Sequence, residues 1–202
     1  MSKGKLFILS GPSGSGKDAV RSGVFKKLPQ LKFSISCTTR NPRNIPSEDE
    51  KYRFVSRDEF ENMIRNDQLL EYAEFCGNFY GTPRPPIEEW IDAGFNVLVE
   101  IDVVGQKQIA EKMFEAVSIF IMPPSLAVLR KRLEKRQTED VDVLERRLGE
   151  AVREIKCAVR YDYIVINDAL EEAVDDVCEI ISGKIPVDEN KNNIIYEVLN
   201  NA

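Results

Sequence analysis

Residues 6–20 read Leu-Phe-Ile-Leu-Ser-Gly-Pro-Ser-Gly-Ser-Gly-Lys-Asp-Ala-Val, and this stretch decides the fold. Lys5–Ser10 carries an unbroken apolar run, the mark of a strand buried on both faces, and such strands belong to parallel sheets. Gly11–Lys17 satisfies G-x-x-x-x-G-K, and Asp18–Leu28 reads as a helix closed by Pro29. In this strand–loop–helix context the glycines let backbone N–H groups converge on phosphate oxygens, helped by the helix N-terminus. Lys17 is expected to reach the β- and γ-phosphates. Gly11, Pro12, Ser13, Gly14, Ser15, Gly16 and Lys17 are therefore candidate phosphate binders. A Gly-rich turn that merely links strand to helix is the bland alternative, and the flanking elements disfavour it.

Working outward, Asn96–Ile101, Val117–Met122 and Tyr163–Asn167 read as further buried strands. Helices follow them, to about Phe114, from Ser125 to about Lys135, across about Asp140–Arg160, and over Leu170–Ile181. Buried strands alternating with helices predict an α/β fold, a three-layer α/β/α P-loop NTPase with a parallel core sheet. Residues 33–83 break the alternation. They contain a short strand at Phe33–Cys37, a loop at Asn41–Glu50, a capping box Ser56-Arg-Asp-Glu59, and strands Leu69–Phe75 and Asn78–Gly81 joined at Gly77. We expect a core formed by 1–32, 84–126 and 150–185. Into it are set a mixed α+β subdomain at 33–83 and a helical lid at 127–149. A polar tail follows at 186–202, in which Ile194–Leu199 could dock as a short helix.

Composition narrows the chemistry. Among 202 residues, 43% are hydrophobic and 31% charged, an ordinary globular balance. The apolar runs are too short to span a bilayer, and no secretory signal precedes the first strand, so a cytoplasmic protein without membrane partners is expected. Four scattered cysteines form no C-x-x-C pair. Histidine is absent, which removes histidine bases and histidine-ligated zinc. A net charge of −6 argues against a nucleic-acid surface. Local arginine clusters at Arg40/Arg43 and from Arg130 to Arg147 suit a small anionic ligand instead.

The residue after the P-loop lysine normally supplies a hydroxyl to Mg²⁺, and here it is Asp18. A carboxylate is a stronger Mg²⁺ ligand, directly or through a water, but it adds negative charge beside the phosphates. Asp18 is the candidate metal residue; favouring the positive helix N-terminus is its alternative role.

A second set of residues can hold a nucleoside monophosphate. Arg40 and Arg43, separated by a Pro-stiffened turn, can fork onto one phosphate, and Tyr52 and Tyr80 can add phenolic hydrogen bonds. Glu71 and Asp102 are acceptors suited to the adjacent N1–H and 2-amino donors of guanine, which adenine lacks. Ser36 and Thr82 offer hydroxyls. Asp102 could instead be the metal-side acid of P-loop enzymes.

Together with the P-loop, Ser36-Cys-Thr-Thr-Arg40-Asn-Pro-Arg43, Tyr52-Arg-Phe-Val-Ser56, Glu71-Tyr-Ala-Glu, Gly77-Asn-Phe-Tyr80-Gly-Thr82-Pro and Glu100-Ile-Asp102 resemble the guanylate kinase family in order and spacing. The resemblance covers about Lys5 to Ile181. It implies an ATP:GMP phosphotransferase of purine metabolism that uses Mg²⁺, with 33–83 as the GMP-binding subdomain. It implies GMP contacts at Ser36, Arg40, Arg43, Tyr52, Glu71, Tyr80, Thr82 and Asp102. It also implies lid arginines at Arg132, Arg136 and Arg147 acting with Lys17 on the transferring phosphoryl group, and an adenine contact at Asn167. The acceptor phosphate is already an anionic nucleophile at pH 7, so no general base is required. Closure over the substrates is expected, since water would otherwise accept the phosphoryl group.

This chain departs from the family pattern at Asp18 and Ala19, at Val104 where glutamine is frequent, and in the connector Asn44–Lys51, which lacks the usual glycines. Monomer and homodimer both stay open, as does dGMP beside GMP. Two other readings stand beside this one, a sugar-bisphosphate kinase with a similar P-loop and a non-catalytic phosphopeptide-binding module of the same fold.

Overall fold

The computed structural model describes residues 2–45, 49–50, 52–113, 115–134, 141–187 and 190–200. They form two compact units, one of Met1–Ile8 and Gln30–Ala116, the other of Leu9–Pro29 and Val117–Ala202. A five-stranded sheet runs in the order β2 (Lys32–Phe33), β7 (Val97–Glu100), β1 (Leu6–Ser10), β8 (Val117–Met122), β9 (Tyr163–Ile166). The chain passes from the first unit to the second within β1, between Ile8 and Leu9. The β8–β9 pair is parallel, as expected for buried apolar strands, and so is β2–β7, whose Lys32–Phe33 strand was not foreseen in this sheet.

In the first unit, Leu6, Ile8, Leu70, Ile87, Val97, Val99 and Ile109 form one buried cluster. Each such aliphatic side chain contributes about 1.5–3 kcal/mol of burial free energy before conformational entropy is charged against it. A second sheet lies wholly in this unit, in the order β4 (Tyr52–Phe54), β3 (Ser36–Thr38), β6 (Asn78–Pro83), β5 (Leu69–Phe75). Phe60 of helix α2 (Arg57–Arg65) stacks on Phe79 with ring centroids 5.3 Å apart, anchoring the helix beside this sheet. The predicted capping box starts that helix: Ser56 Oγ accepts from Glu59 N, and Glu59 accepts from the Ser56 backbone N–H at 2.7 Å. Helices α3 (Arg84–Asp92) and α4 (Val103–Lys112) complete the unit.

In the second unit, helix α1 (Lys17–Lys27) packs against α7 (Leu170–Ile181). A Cβ at Gly23 would meet Val174 at 2.5 Å, so the glycine sets how closely these helices approach. Lys27 bridges Glu171 and Asp175 at 3.2 and 2.7 Å on the exposed rim. Helices α5 (Leu126–Glu134) and α6 (Val141–Cys157) pack together, and a 3₁₀ turn at Ala158–Arg160 leads into β9. The tail forms helix α8 (Lys191–Asn200), packed on α5, α6 and the 3₁₀ turn through the buried Ile195 and Val198. It is longer than the expected Ile194–Leu199.

Two local expectations change. Phe33–Cys37 is not one strand: Lys32–Phe33 pairs with β7, and Ser36–Thr38 joins the second sheet. Period-2 alternation gives a strand's faces but not its partner, so the switch between sheets at Ser34–Ile35 was invisible. Tyr52–Phe54, not expected as a strand, pairs parallel with β3, with Ser36 opposite Tyr52 and Thr38 opposite Phe54.

Candidate active site

The phosphate loop and the residues bonded to it lie in the second unit. Gly11, Gly14 and Gly16 have φ of 148°, 86° and 93°, a region L side chains avoid. A Cβ at Gly11 would fall 2.3 Å from Ile121 O, and one at Gly16 would fall 2.3 Å from Asn167 Nδ2. The loop must therefore be glycine at both positions to close against β8 and the end of β9. Lys17 Nζ donates to Gly11 O at 2.5 Å and Pro12 O at 3.2 Å, arching over the loop it follows.

Three predicted residues converge on the same loop. Asn167 Nδ2 donates to Ser15 O at 2.7 Å, and Arg132 Nη1 donates to Ser15 O at 3.3 Å. Arg132 Nη2 donates to Asn167 O at 2.9 Å, and Arg147 Nη2 to Ser13 Oγ at 3.3 Å. The helices α5 and α6 thus set two guanidinium groups on the phosphate loop. Arg136, the third expected lid arginine, lies outside the described residues. Asn167, expected as an adenine contact, is 5% exposed and gives one of its two amide N–H donors to the loop backbone.

Asp18 lies in the first turn of α1, with its side chain 47% exposed and its carboxylate 3.5 Å from Arg21 Nη2. Its hard oxygen donors and half-exposed position at the phosphate loop fit Mg²⁺, which usually takes one or two carboxylates beside substrate phosphates and waters. Among the described residues, no group of three or more Asp, Glu, Cys or His side chains forms a metal cage.

The other set lies in the first unit, on the second sheet and its loops. Arg40 Cζ sits 5.5 Å from the Tyr52 ring centre and 5.2 Å from that of Phe54. Tyr52 and Tyr80 meet edge to face at 5.7 Å. Burial, the neighbouring Tyr80 phenol and Glu100 push the Tyr52 phenol up, with Arg40 and Arg43 opposing, so it stays a neutral donor at pH 7. Ser36 stands opposite Tyr52 in the β3–β4 pairing.

Glu71 and Thr82 face each other across β5 and β6, and Thr82 Oγ1 donates to Glu71 Oε1 at 2.6 Å. Burial drives the Glu71 carboxyl up to about 7, with the Thr82 hydrogen bond opposing and Asp102 adding to the rise. Asp102 caps α4, its Oδ1 accepting from the N–H groups of Val104 and Gly105 at 2.9 and 2.8 Å. A Cβ on Gly105 would lie 3.0 Å from Glu71 Oε2. Val104, at a departure from the family pattern, is exposed beside this cap.

Two residues escaped the sequence reading. Gly105 gives the Glu71 carboxylate room, and a glycine in the first turn of a helix was a signal that could have found it. Asp49 accepts from Arg40 Nη2 at 3.3 Å, and no motif marked it.

A parallel sheet, a glycine-rich phosphate loop, a lysine arching over it and two arginines bonded to it, one at the Ser15 carbonyl and one at the Ser13 hydroxyl, define a P-loop nucleotide kinase. The guanylate kinase family model matches residues 3–184. Guanylate kinase of Desulfitobacterium hafniense is 46% identical over 178 residues, covering 88% of this chain and 89% of its own. That of Thermus thermophilus is 44% identical over 90% of this chain and 82% of its own. The crystal structure of guanylate kinase from Anaplasma phagocytophilum matches with a TM-score of 0.71 and 36% identity over 91% of this chain and 87% of its own. The chain belongs to the guanylate kinase family, and with it to the ATP-dependent kinases that phosphorylate GMP. Among the described residues no helix is long and apolar enough to cross a membrane.

Proposed function

We propose that this chain moves the γ-phosphoryl of ATP onto GMP with the residues named above, in the cytoplasm, giving ADP and GDP. Gly11–Lys17 holds the donor phosphates. Lys17, Arg132 and Arg147 neutralise charge as it develops on the transferring group, and Arg136 is assigned the same role by its place in the series. Asp18 holds Mg²⁺, which supplies further charge neutralisation when bound. Asn167 sets the conformation of the phosphate loop through Ser15. Arg40, Arg43, Tyr52 and Tyr80 bind the acceptor phosphate, whose anionic oxygen needs no base. Residues 33–83 act as the acceptor subdomain and 127–149 as the lid over the core.

One observation carries the guanine assignment, the buried Glu71–Thr82 pair beside Asp102. A carboxylate poised between protonation states accepts two adjacent N–H donors best when ionised, and guanine brings such a pair. A sugar bisphosphate offers hydroxyls, which a carboxylate also accepts, but no paired N–H edge, and its phosphates are repelled by a carboxylate. Ser36, by its place beside Tyr52, adds a hydroxyl on the same sheet.

The test is ATP-dependent ADP release with GMP, dGMP, AMP, CMP, dTMP and ribose 1,5-bisphosphate, each with and without Mg²⁺. Turnover with the guanine nucleotides alone is expected. Turnover with the sugar bisphosphate alone would keep the phosphate-loop chemistry and remove the guanine site. Silence with every acceptor would favour the non-catalytic module.

A further inference from the structure

Asp49, in the connector between Arg43 and Tyr52, has no role assigned to it in the reaction. Asp49 Oδ1 accepts from Arg40 Nη2 at 3.3 Å and from the backbone N–H of Arg43 at 3.1 Å. The backbone N–H groups of Asn44 and Ile45 are directed at the same carboxylate. Asp49 returns a bond, its own N–H donating to Ile45 O at 2.9 Å. Asn44 adopts φ 59°, a left-handed turn that Asn tolerates. Such a turn gathers successive N–H groups into a concavity for an anion. Here the chain supplies the anion itself, in a connector that has no glycine.

The Arg40 and Asp49 side chains are only 10% and 16% exposed. A guanidinium shielded from water needs a counter-charge and fixed partners. Arg40 has these in Asp49, in Asn41 O at 2.9 Å from Nη1, and in the faces of Tyr52 and Phe54. A guanidinium carries five donors in a rigid fork, so one can serve a carboxylate and a phosphate together.

We propose that Asp49 is a positioning residue for the acceptor phosphate: it orients the Arg40 guanidinium and curls the 43–45 backbone so that both arginines are set before the monophosphate arrives. This rests on the reading of Arg40 and Arg43 as the acceptor-phosphate ligands. Burial works against ionisation of Asp49, but the hydrogen bonds from Arg43, Arg40, Asn44 and Ile45 win and hold its carboxyl below the usual range. It stays charged throughout the neutral range. The rival role for the same geometry is an internal competitor, a carboxylate standing where the phosphate oxygens belong. The two roles predict opposite signs.

The experiment measures kcat, KM for GMP, KM for ATP and calorimetric GMP affinity for the full chain and for Asp49→Ala, Asp49→Asn and Arg40→Ala, with a melting curve for each. Asp49→Ala is expected to raise KM for GMP about tenfold or more, while kcat and KM for ATP change by less than about twofold. Asp49→Asn keeps an acceptor oxygen without the charge and is expected to recover part of that loss, to about threefold. A general loosening of the fold would move both KM values together. Unchanged GMP affinity in both Asp49 variants, or tighter binding in Asp49→Asn, overturns the proposal while Arg40→Ala still shows a raised KM. An unchanged KM in Arg40→Ala removes the phosphate-site reading and the Asp49 role with it.

Discussion

Thr82 Oγ1 donates to Glu71 Oε1 at 2.6 Å across the β5–β6 ladder, where Glu71 is 7% and Thr82 1% exposed. A carboxyl this deeply buried resists ionisation, and the hydrogen bonds from Thr82 with the charge of Lys112 do not offset the loss of water. The result is an acid whose affinity for its proton is set near neutral pH.

The Glu71 pKa is raised on folding from about 4.5 to about 7. Between those values the folded chain holds more proton than the unfolded one, so Glu71 makes stability fall as pH rises through that window. Glu71→Gln should remove the fall, gaining on the parent chain by at most about 3 kcal/mol between pH 4.5 and pH 8. Urea unfolding of both proteins at pH 5 and pH 8 measures it. Equal differences at the two pH values would refute the assignment.

GMP should favour the ionised carboxylate and so displace its proton. Affinity for GMP is expected to weaken as pH falls below about 7, approaching tenfold per unit, and Glu71→Gln should flatten that slope. Calorimetry in two buffers of different ionisation enthalpy reports the released proton directly; no buffer dependence near pH 6.5 would count against it.

Gly16→Ala combines two faults, a side chain at φ 93° and a Cβ 2.3 Å from Asn167 Nδ2. Backbone strain alone costs about 1–3 kcal/mol, and Asn167 must also leave Ser15 O. We expect a lower melting temperature and loss of most ATP binding. A variant that melts and binds ATP like the parent would show that the loop relaxes freely.

Lys17→Ala should lower kcat by roughly 10²–10³, the scale of removing one preorganised charge from beside a transition state. Arg132→Ala should act on kcat similarly, and because Arg132 also bridges Ser15 O and Asn167 O it should lower thermal stability as well. Single-turnover rates beside melting curves separate the two effects. Unchanged turnover in Lys17→Ala would end the phosphate-loop mechanism.

Asp18→Ala should shift the Mg²⁺ concentration for half-maximal rate upward about tenfold while leaving GMP affinity unchanged. Should the Mg²⁺ titration instead be identical to the parent's, Asp18 serves only the helix N-terminus and its Arg21 pairing.

Much of this arrangement was legible in the residues. Leu6–Ser10 and Val117–Met122 read as strands because short, largely apolar runs suit a sheet interior, and Ser56/Glu59 capped their helix as the pattern required. The phosphate loop was readable because only glycine tolerates its dihedrals. What stayed hidden depended on partners distant in sequence. Nothing in Lys32–Thr38 tells that its two ends join different sheets. Nothing in Asn44–Lys51 tells that one acid among several folds back onto Arg40. Asp102 was readable as an acceptor, but its use as the cap of α4 depends on where the helix begins, to which a strand-end acid gives no separate clue.

The passage of the chain between units inside β1 bears on how the molecule is made. Leu6 and Ile8 belong to the first unit's core, and everything else that core needs has emerged from the ribosome once Ala116 is clear of the exit tunnel. The first unit can therefore assemble during synthesis. The phosphate-loop unit must wait, with residues 9–29 already made, for its remaining strands and helices to be translated. A fragment cut at residue 30 would lack the two β1 side chains that the first unit buries, so vectorial folding gives that unit an early start that excision would deny it.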